Sequence, residues 1–219
     1  MCGSGVASRP THEVFHVKRR LISNDVSRET LAALERFEAL LLHWNRTVNL
    51  VSAYDAPHIW DRHIADSLQL TPLMDVLPSR AIDLGSGAGF PGLILALATG
   101  VPFDLIEADL RKAAFLREAA RITHAPVHIH AVRIEAANLE PAPLVTARAL
   151  APLPKLLHLA APLLAPEGQC LFLKGTGVQA ELTHAAAQWH MQVERVASRT
   201  VPDASILRIS DLRRVIAPV

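Results

Sequence analysis

Apolar residues recur at steps of three and four from Leu31 through Leu34, Phe37 and Leu41 to Trp44, a spacing that predicts an amphipathic helix capped by Ser27. A second helix is predicted from Asp55, with Pro57 in its first turn, to Leu70, where Thr71 and Pro72 end it. From Arg80 the pattern changes. Short apolar runs at 80–84, 103–107, 127–132, 144–148 and 168–173 alternate with helical segments at 91–99, 111–123, 154–164 and 178–190. Two further runs, 192–197 and 206–210, follow each other with no helix between them. This alternation predicts an α/β architecture, a seven-stranded and mostly parallel sheet with an N-terminal helical extension. Residues 1–24 carry no periodicity and read as a mobile extension. The expected organisation is therefore that extension, a helical segment over 25–75 packing on the core, and a sheet domain over 76–219.

Composition narrows the class. Half of the 219 residues are hydrophobic and 20% are charged, enough for a substantial core. A net charge of +1 neither requires nor excludes a nucleic-acid partner, so any basic face has to come from local clustering. Within the extension, the run Lys18-Arg19-Arg20 is either a solvated terminus or a tail that touches RNA. Cys2 and Cys170 are the only cysteines, which argues against a disulfide framework or a thiolate zinc site. No apolar run reaches the length of a membrane span, and Met1 to Val17 lacks the apolar core of a secretory signal. A cytoplasmic protein with no membrane partner is expected.

The chemistry concentrates at Asp83-Leu84-Gly85-Ser86-Gly87-Ala88-Gly89-Phe90-Pro91-Gly92. A strand ending in an acidic residue, then alternating glycines, then a helix lets a nucleoside-bearing ligand rest against bare backbone. Dinucleotide sites prefer a third glycine three positions after the second, and Phe90 stands there instead. An acidic residue beside the loop suits an ammonium group, whereas it would repel a pyrophosphate. Glu107, 24 positions after Asp83, falls where a carboxylate can accept both ribose hydroxyls. Arg133, Ile134 and Glu135 close the third strand.

Cations gather near the carboxyl edge of the predicted sheet: Arg62, Lys112, Arg133, Arg148 and Lys174. Ligands of open α/β sheets bind on that edge, and phosphate-seeking cations there point to a nucleic-acid substrate. Asn45 and Asn49 would share a helical face, either capping a helix end or contacting substrate. Arg62 and Asp66 form a potential i,i+4 pair, and His63 sits beside Ile59 and Ile64. His128 and His130 would share a face of strand three, but too few ligands accompany them for a metal, and no metal is expected.

Five motifs in one order carry a resemblance. They are Trp44-Asn45 with Asn49-Leu50, Arg62-His63 with Asp66-Ser67-Leu68, the Asp83 to Gly92 loop, Ala147-Arg148-Ala149, and Leu173-Lys174-Gly175. Together they resemble the bacterial ribosomal RNA small subunit methyltransferase G family, also called glucose-inhibited division protein B, over roughly residues 27–210. The resemblance implies a class I S-adenosylmethionine-dependent methyltransferase fold, Rossmann-like, and methyl transfer to N7 of guanine 527 in 16S rRNA. It implies S-adenosylmethionine contacts at Asp83, Gly85, Gly87, Gly89, Phe90, Glu107, Ile134, Glu135 and Arg148, with S-adenosylhomocysteine as product. Asn45, Asn49, His63, Asp66 and Arg148 are then expected to position the base, and Arg62, Lys112, Arg133 and Lys174 to meet RNA. The expected partner is 16S rRNA within the 30S subunit, and a monomer is expected. One departure stands out: the family tends to carry a basic residue before the final strand, where this chain reads Pro202-Asp203-Ala204-Ser205, with Arg208 the nearest arginine. The competing readings are a small-molecule methyltransferase and a non-catalytic ribosome-binding protein on the same fold.

Overall fold

The structure, a computed structural model, describes residues 26–74 and 76–215; the expected extension over 1–24 lies outside them. Seven strands form one sheet in the order β3-β2-β1-β4-β5-β7-β6. They are β1 (Ala81–Leu84), β2 (Phe103–Ile106), β3 (Val127–His130), β4 (Ala142–Arg148), β5 (Leu164–Lys174), β6 (Trp189–Ala197) and β7 (Ser205–Arg214). β7 pairs antiparallel with both β5 and β6, while β1 to β5 pair parallel. β1, β2 and most of β4 are buried on both faces, which is why they read as unbroken apolar runs.

Two apolar layers cover the sheet. One face carries α1 (Arg28–Trp44), α3 (Gly92–Thr99) and α4 (Leu110–Thr123) together with the helical segment that ends in the single α-turn α2 (Ala65–Leu68). The other carries α5 (Leu153–Ala160) and α6 (Val178–Ala186). Ser27 caps α1 as expected, its Oγ accepting from the Thr30 N–H at 3.2 Å. Leu34, Phe37 and Leu41 are fully buried, so the stripe is core. Phe37 then meets Phe90 edge-on at 5.5 Å and Phe115 at 6.0 Å, which fastens the N-terminal helix to the glycine loop.

The second predicted helix is not one regular α-helix. It begins as a 3-10 turn (Ala56–His58), widens into a π segment (Trp60–Ile64) and only then becomes α2. Ile59, Trp60 and Ile64 are all buried, and the wider π turn, with its i to i+5 bonding, brings Ile59 and Ile64 close to one line along the core face. Several boundaries also shift. β5 starts at Leu164 rather than 168, because α5 stops at Ala160, and α6 ends at Ala186 rather than 190. Among the described residues no helix is long and apolar enough to cross a membrane.

The chain crosses the sheet between β3 and β4, so β1 has β2 on one side and β4 on the other. That reversal opens a crevice at the carboxyl ends of β1, β2 and β4.

Candidate active site

The glycine loop forms because β1 must turn sharply into α3. Gly85, Gly87 and Gly89 all take positive φ, at 62°, 56° and 92°. A β-carbon on Gly87 would meet nothing closer than the Gly85 carbonyl at 3.9 Å, so this part of the loop faces open space. Gly92 is needed for a different reason: a β-carbon there would lie 2.5 Å from that of Asp83, which lets α3 seat directly on β1. Glu107 ties the loop down. Its Oε2 accepts from the Gly87 N–H and its Oε1 from the Asp109 N–H, both at 2.8 Å. Asp109 in turn caps α4 by accepting from the Arg111 and Lys112 N–H groups.

Around this loop lies a cavity of about 340 Å³ lined by Gly85, Gly87, Glu107, Ile134, Glu135 and Arg148, with Lys112 and Arg133 also in its wall. Asp83, Gly89 and Phe90 do not line it. Asp83 is completely buried beneath the loop, its Oδ1 accepting from Thr146 Oγ1 at 2.7 Å and its Oδ2 without a hydrogen-bond partner. Burial pushes its carboxyl up to about 6, against the pull of the Thr146 hydrogen bond. Phe90 is 4% exposed, with the His63 ring stacked on it at 4.9 Å and the Arg148 guanidinium 5.0 Å above it.

A second cavity, about 370 Å³, abuts the first. Asp55, Arg62, His63 and Asp66 from the N-terminal segment form one side, and Lys174 and Ser205 from the sheet, with Ser198 from the turn after β6, form the other. Arg148 and Ala149 belong to both walls. Ala149 has φ 49°, the left-handed region a residue with a β-carbon seldom adopts. Sequence reasoning found Arg148 but not this backbone, for which a plain alanine gives no signal. Nor did it find Lys155, Glu181 or the turn at Ser198, which tertiary packing brings in.

Arg148 is half-buried and held from the N-terminal side, its Nη1 donating to the Arg62 carbonyl at 3.2 Å and to Asp66 Oδ2 at 3.4 Å. Burial lowers its guanidinium from the ordinary value, while the carboxylate of Asp66 pulls the other way. The expected Arg62–Asp66 pair is therefore not made. Arg62 pairs with Asp55 at 2.8 Å, and Asp66 turns inward to Arg148, Gln69 and Thr200. His63 sits under the second cavity with neither ring nitrogen hydrogen-bonded. Burial, reinforced by Arg148, takes its imidazole down to about 4.

Other predicted residues make contacts within the protein. Asn45 and Asn49 share no helical face, because α1 ends at Trp44. Asn45 Oδ1 instead accepts from the Leu50 and Val51 N–H groups, shaping the turn, and neither asparagine lines either cavity. Lys174 is committed within the protein, to Glu181 at 2.7 Å and the Ala151 carbonyl at 2.9 Å. His130 contacts Asp104 at 2.7 Å, and among the described residues no three His, Cys, Asp or Glu side chains converge as metal ligands. Arg208 lies away from both cavities, donating to Gln169 at 2.7 Å beside a third and larger hollow of about 700 Å³ at the opposite edge of the sheet. Ser205 accepts from Arg195 Nε at 2.8 Å, so an arginine of the neighbouring strand reaches the position where a basic residue was expected.

A family model described as rRNA small subunit methyltransferase G matches residues 30–206. The chain belongs to the rRNA small subunit methyltransferase G family. Two relatives carrying the name ribosomal RNA small subunit methyltransferase G illustrate how closely. The one from Granulibacter bethesdensis is 55% identical over 92% of this chain and 100% of its own length. That from Gluconobacter oxydans is 56% identical over 87% and 98% respectively. Among solved structures, a putative O-methyltransferase from Klebsiella pneumoniae aligns with a TM-score of 0.58 at 13% identity, over 90% of this chain and 96% of that one. An O-methyltransferase from Bacillus cereus in complex with SAH does so with a TM-score of 0.58 at 14% identity, over 89% and 97%. At such identities the likeness speaks for the fold: this methyltransferase G family member has the class I methyltransferase architecture.

Proposed function

We propose that this chain transfers a methyl group from S-adenosylmethionine to N7 of guanine 527 in 16S rRNA. The observation that carries the reading is the pair of abutting cavities divided by Arg148 and Ala149, one built on the glycine loop and one facing the N-terminal helices. The first fits the cofactor: Gly87 leaves room for close approach, and Glu107 offers carboxylate oxygens with lone pairs still available to ribose hydroxyls. In this reading Gly85, Gly87, Glu107, Ile134, Glu135 and Arg148 hold S-adenosylmethionine, while Asp83 acts from beneath the loop. When bound, the cofactor supplies an electrophilic sulfonium methyl.

The chain's own task is then modest in chemistry and strict in geometry. Guanine N7 presents an in-plane lone pair and no proton, so no general base is required, and the protein contributes alignment and exclusion of water. Because the methylated base gains positive charge, a cation against N7 would oppose the reaction. Arg148 is anchored by Asp66 and the Arg62 carbonyl, which suits a guanidinium that holds phosphate or cofactor at a distance from N7. His63, held neutral, adds no competing charge to the pocket. Lys112 and Arg133, at the rim of the first cavity, are the cations placed to meet RNA phosphates.

The form proposed is a monomer acting on the 30S subunit in the cytoplasm. The test is N7-methylguanine mapping in 16S rRNA from cells with and without the gene, together with methylation of 30S subunits by purified variants. Arg148→Ala is expected to lower kcat/KM by about a hundredfold or more, as expected when a positioning charge is lost. Asp83→Ala should also lose activity. Full activity of both variants, or unchanged rRNA in cells lacking the gene, would discard the assignment.

A further inference from the structure

Beside the mouth of the second cavity stands an aromatic ring that the reaction above does not use. Tyr54 is the chain's single tyrosine and is 71% exposed. Its surroundings hold it in place. The Arg62 guanidinium carbon lies 5.3 Å from its ring centroid, and the His58 ring is 6.0 Å away at 45°. Arg62 is fixed in turn by its ion pair with Asp55 at 2.8 Å. Asp55 is fixed by Ser52, whose Oγ donates to Oδ2 at 2.7 Å and accepts from the Asp55 N–H at 3.0 Å. Asp55 and Arg62 are themselves part of the cavity wall. A chain of contacts thus sets an exposed aromatic ring beside Asp55 and Arg62, two residues in the wall of the proposed base pocket.

We propose that Tyr54, backed by Arg62, is a stacking shelf for an unpaired nucleotide base next to the guanine that enters the second cavity. The inference rests on the reading that the substrate is RNA. Drawing one base out of a loop into a pocket strips its neighbours of a stacking partner. An aromatic ring at the pocket mouth replaces that partner for any base, because every base has a π-face. The guanidinium behind the ring favours the arrangement twice: it packs on the aromatic face, and with its side chain 44% exposed it is open to a phosphate. Pre-organisation through Ser52 and Asp55 means little ordering remains to be done on binding. The shelf touches no reacting atom, so it acts on RNA affinity and leaves the chemical step alone.

The experiment compares wild type, Tyr54→Ala and Tyr54→Phe for binding of unmethylated 30S subunits in the presence of S-adenosylhomocysteine, with the affinity for S-adenosylhomocysteine measured alongside. Tyr54→Ala is expected to weaken 30S binding by about tenfold, within the range found for loss of one base–aromatic stack. Tyr54→Phe should bind as wild type does, and all three should bind S-adenosylhomocysteine equally. Wild-type affinity in Tyr54→Ala would overturn the shelf, as would a Tyr54→Phe variant as weak as the alanine one, since the hydroxyl and not the ring would then be the contact. Failure of wild type to bind 30S subunits also overturns it. If wild type binds them without methylating N7, the reaction assignment falls, and the comparison of variants still decides the shelf.

Discussion

Asp83 and His63 are two buried titratable groups whose environments push them in opposite directions. The Asp83 carboxyl is raised from the ordinary 3.8 to about 6 by burial, so the folded protein keeps a proton that the unfolded chain gives up. The stability this confers is complete below 3.8 and is lost as pH rises through about 6. His63, lowered by burial to about 4 from 6.5, contributes stability that is present above 6.5 and lost as pH falls through about 4. Between these limits the two slopes oppose each other. Asp83→Asn keeps an oxygen for Thr146 to donate to and removes the charge. Its stability relative to wild type is expected to rise by about 3 kcal/mol as pH increases from about 4 to about 7, the order given by a shift of two pH units. Chemical denaturation across that range checks it, and a difference independent of pH would show that Asp83 does not titrate there.

At the scale of elements, the notable connection runs from α2 to the turn between β6 and β7. Asp66 Oδ1 accepts from Thr200 Oγ1 at 2.6 Å and from Gln69 Nε2 at 2.7 Å, and Gln69 Oε1 accepts from the Arg199 N–H at 2.9 Å. Asp66→Ala removes the anchor of this turn and the counter-charge of Arg148 together. A loss of about 3 kcal/mol is expected, the scale of breaking a buried ion pair. Hydrogen exchange at the Arg199 amide should quicken, and unchanged exchange there would mean that the turn holds itself. None of this could be read from the chain alone, because Asp66 and Thr200 are far apart in sequence and local spacing favoured Arg62 as its partner. The π segment was hidden for a related reason: inward positions at Ile59, Trp60 and Ile64 fit a regular helix and a widened one equally well. The glycine loop and Glu107 were legible because strand-end chemistry leaves its mark in contiguous residues. Asn45 shows the limit of such marks: its spacing left a helix end and a substrate contact both open, and the structure sets it at the end of α1 with Oδ1 accepting from the Leu50 and Val51 N–H groups.

For the whole molecule, the N-terminal helix and the methyltransferase sheet form one body through Phe37, Phe90 and Phe115. Phe37 is fully buried, so Phe37→Ala is expected to cost about 3–5 kcal/mol. Because Phe90 belongs to the glycine loop, the same change should weaken S-adenosylhomocysteine binding, measurable by calorimetry at a temperature where the variant stays folded. Unaltered affinity would place the aromatic contact outside the site's support. The guanidinium of Arg148, meanwhile, is a party to two cavities at once. Whatever charge or contact one occupant brings to it alters the work of admitting the other, and thermodynamic reciprocity makes that influence equal in both directions. In the proposed reading those occupants are methyl donor and acceptor, and Arg148 is the charged side chain through which each would feel the other, whichever arrives first.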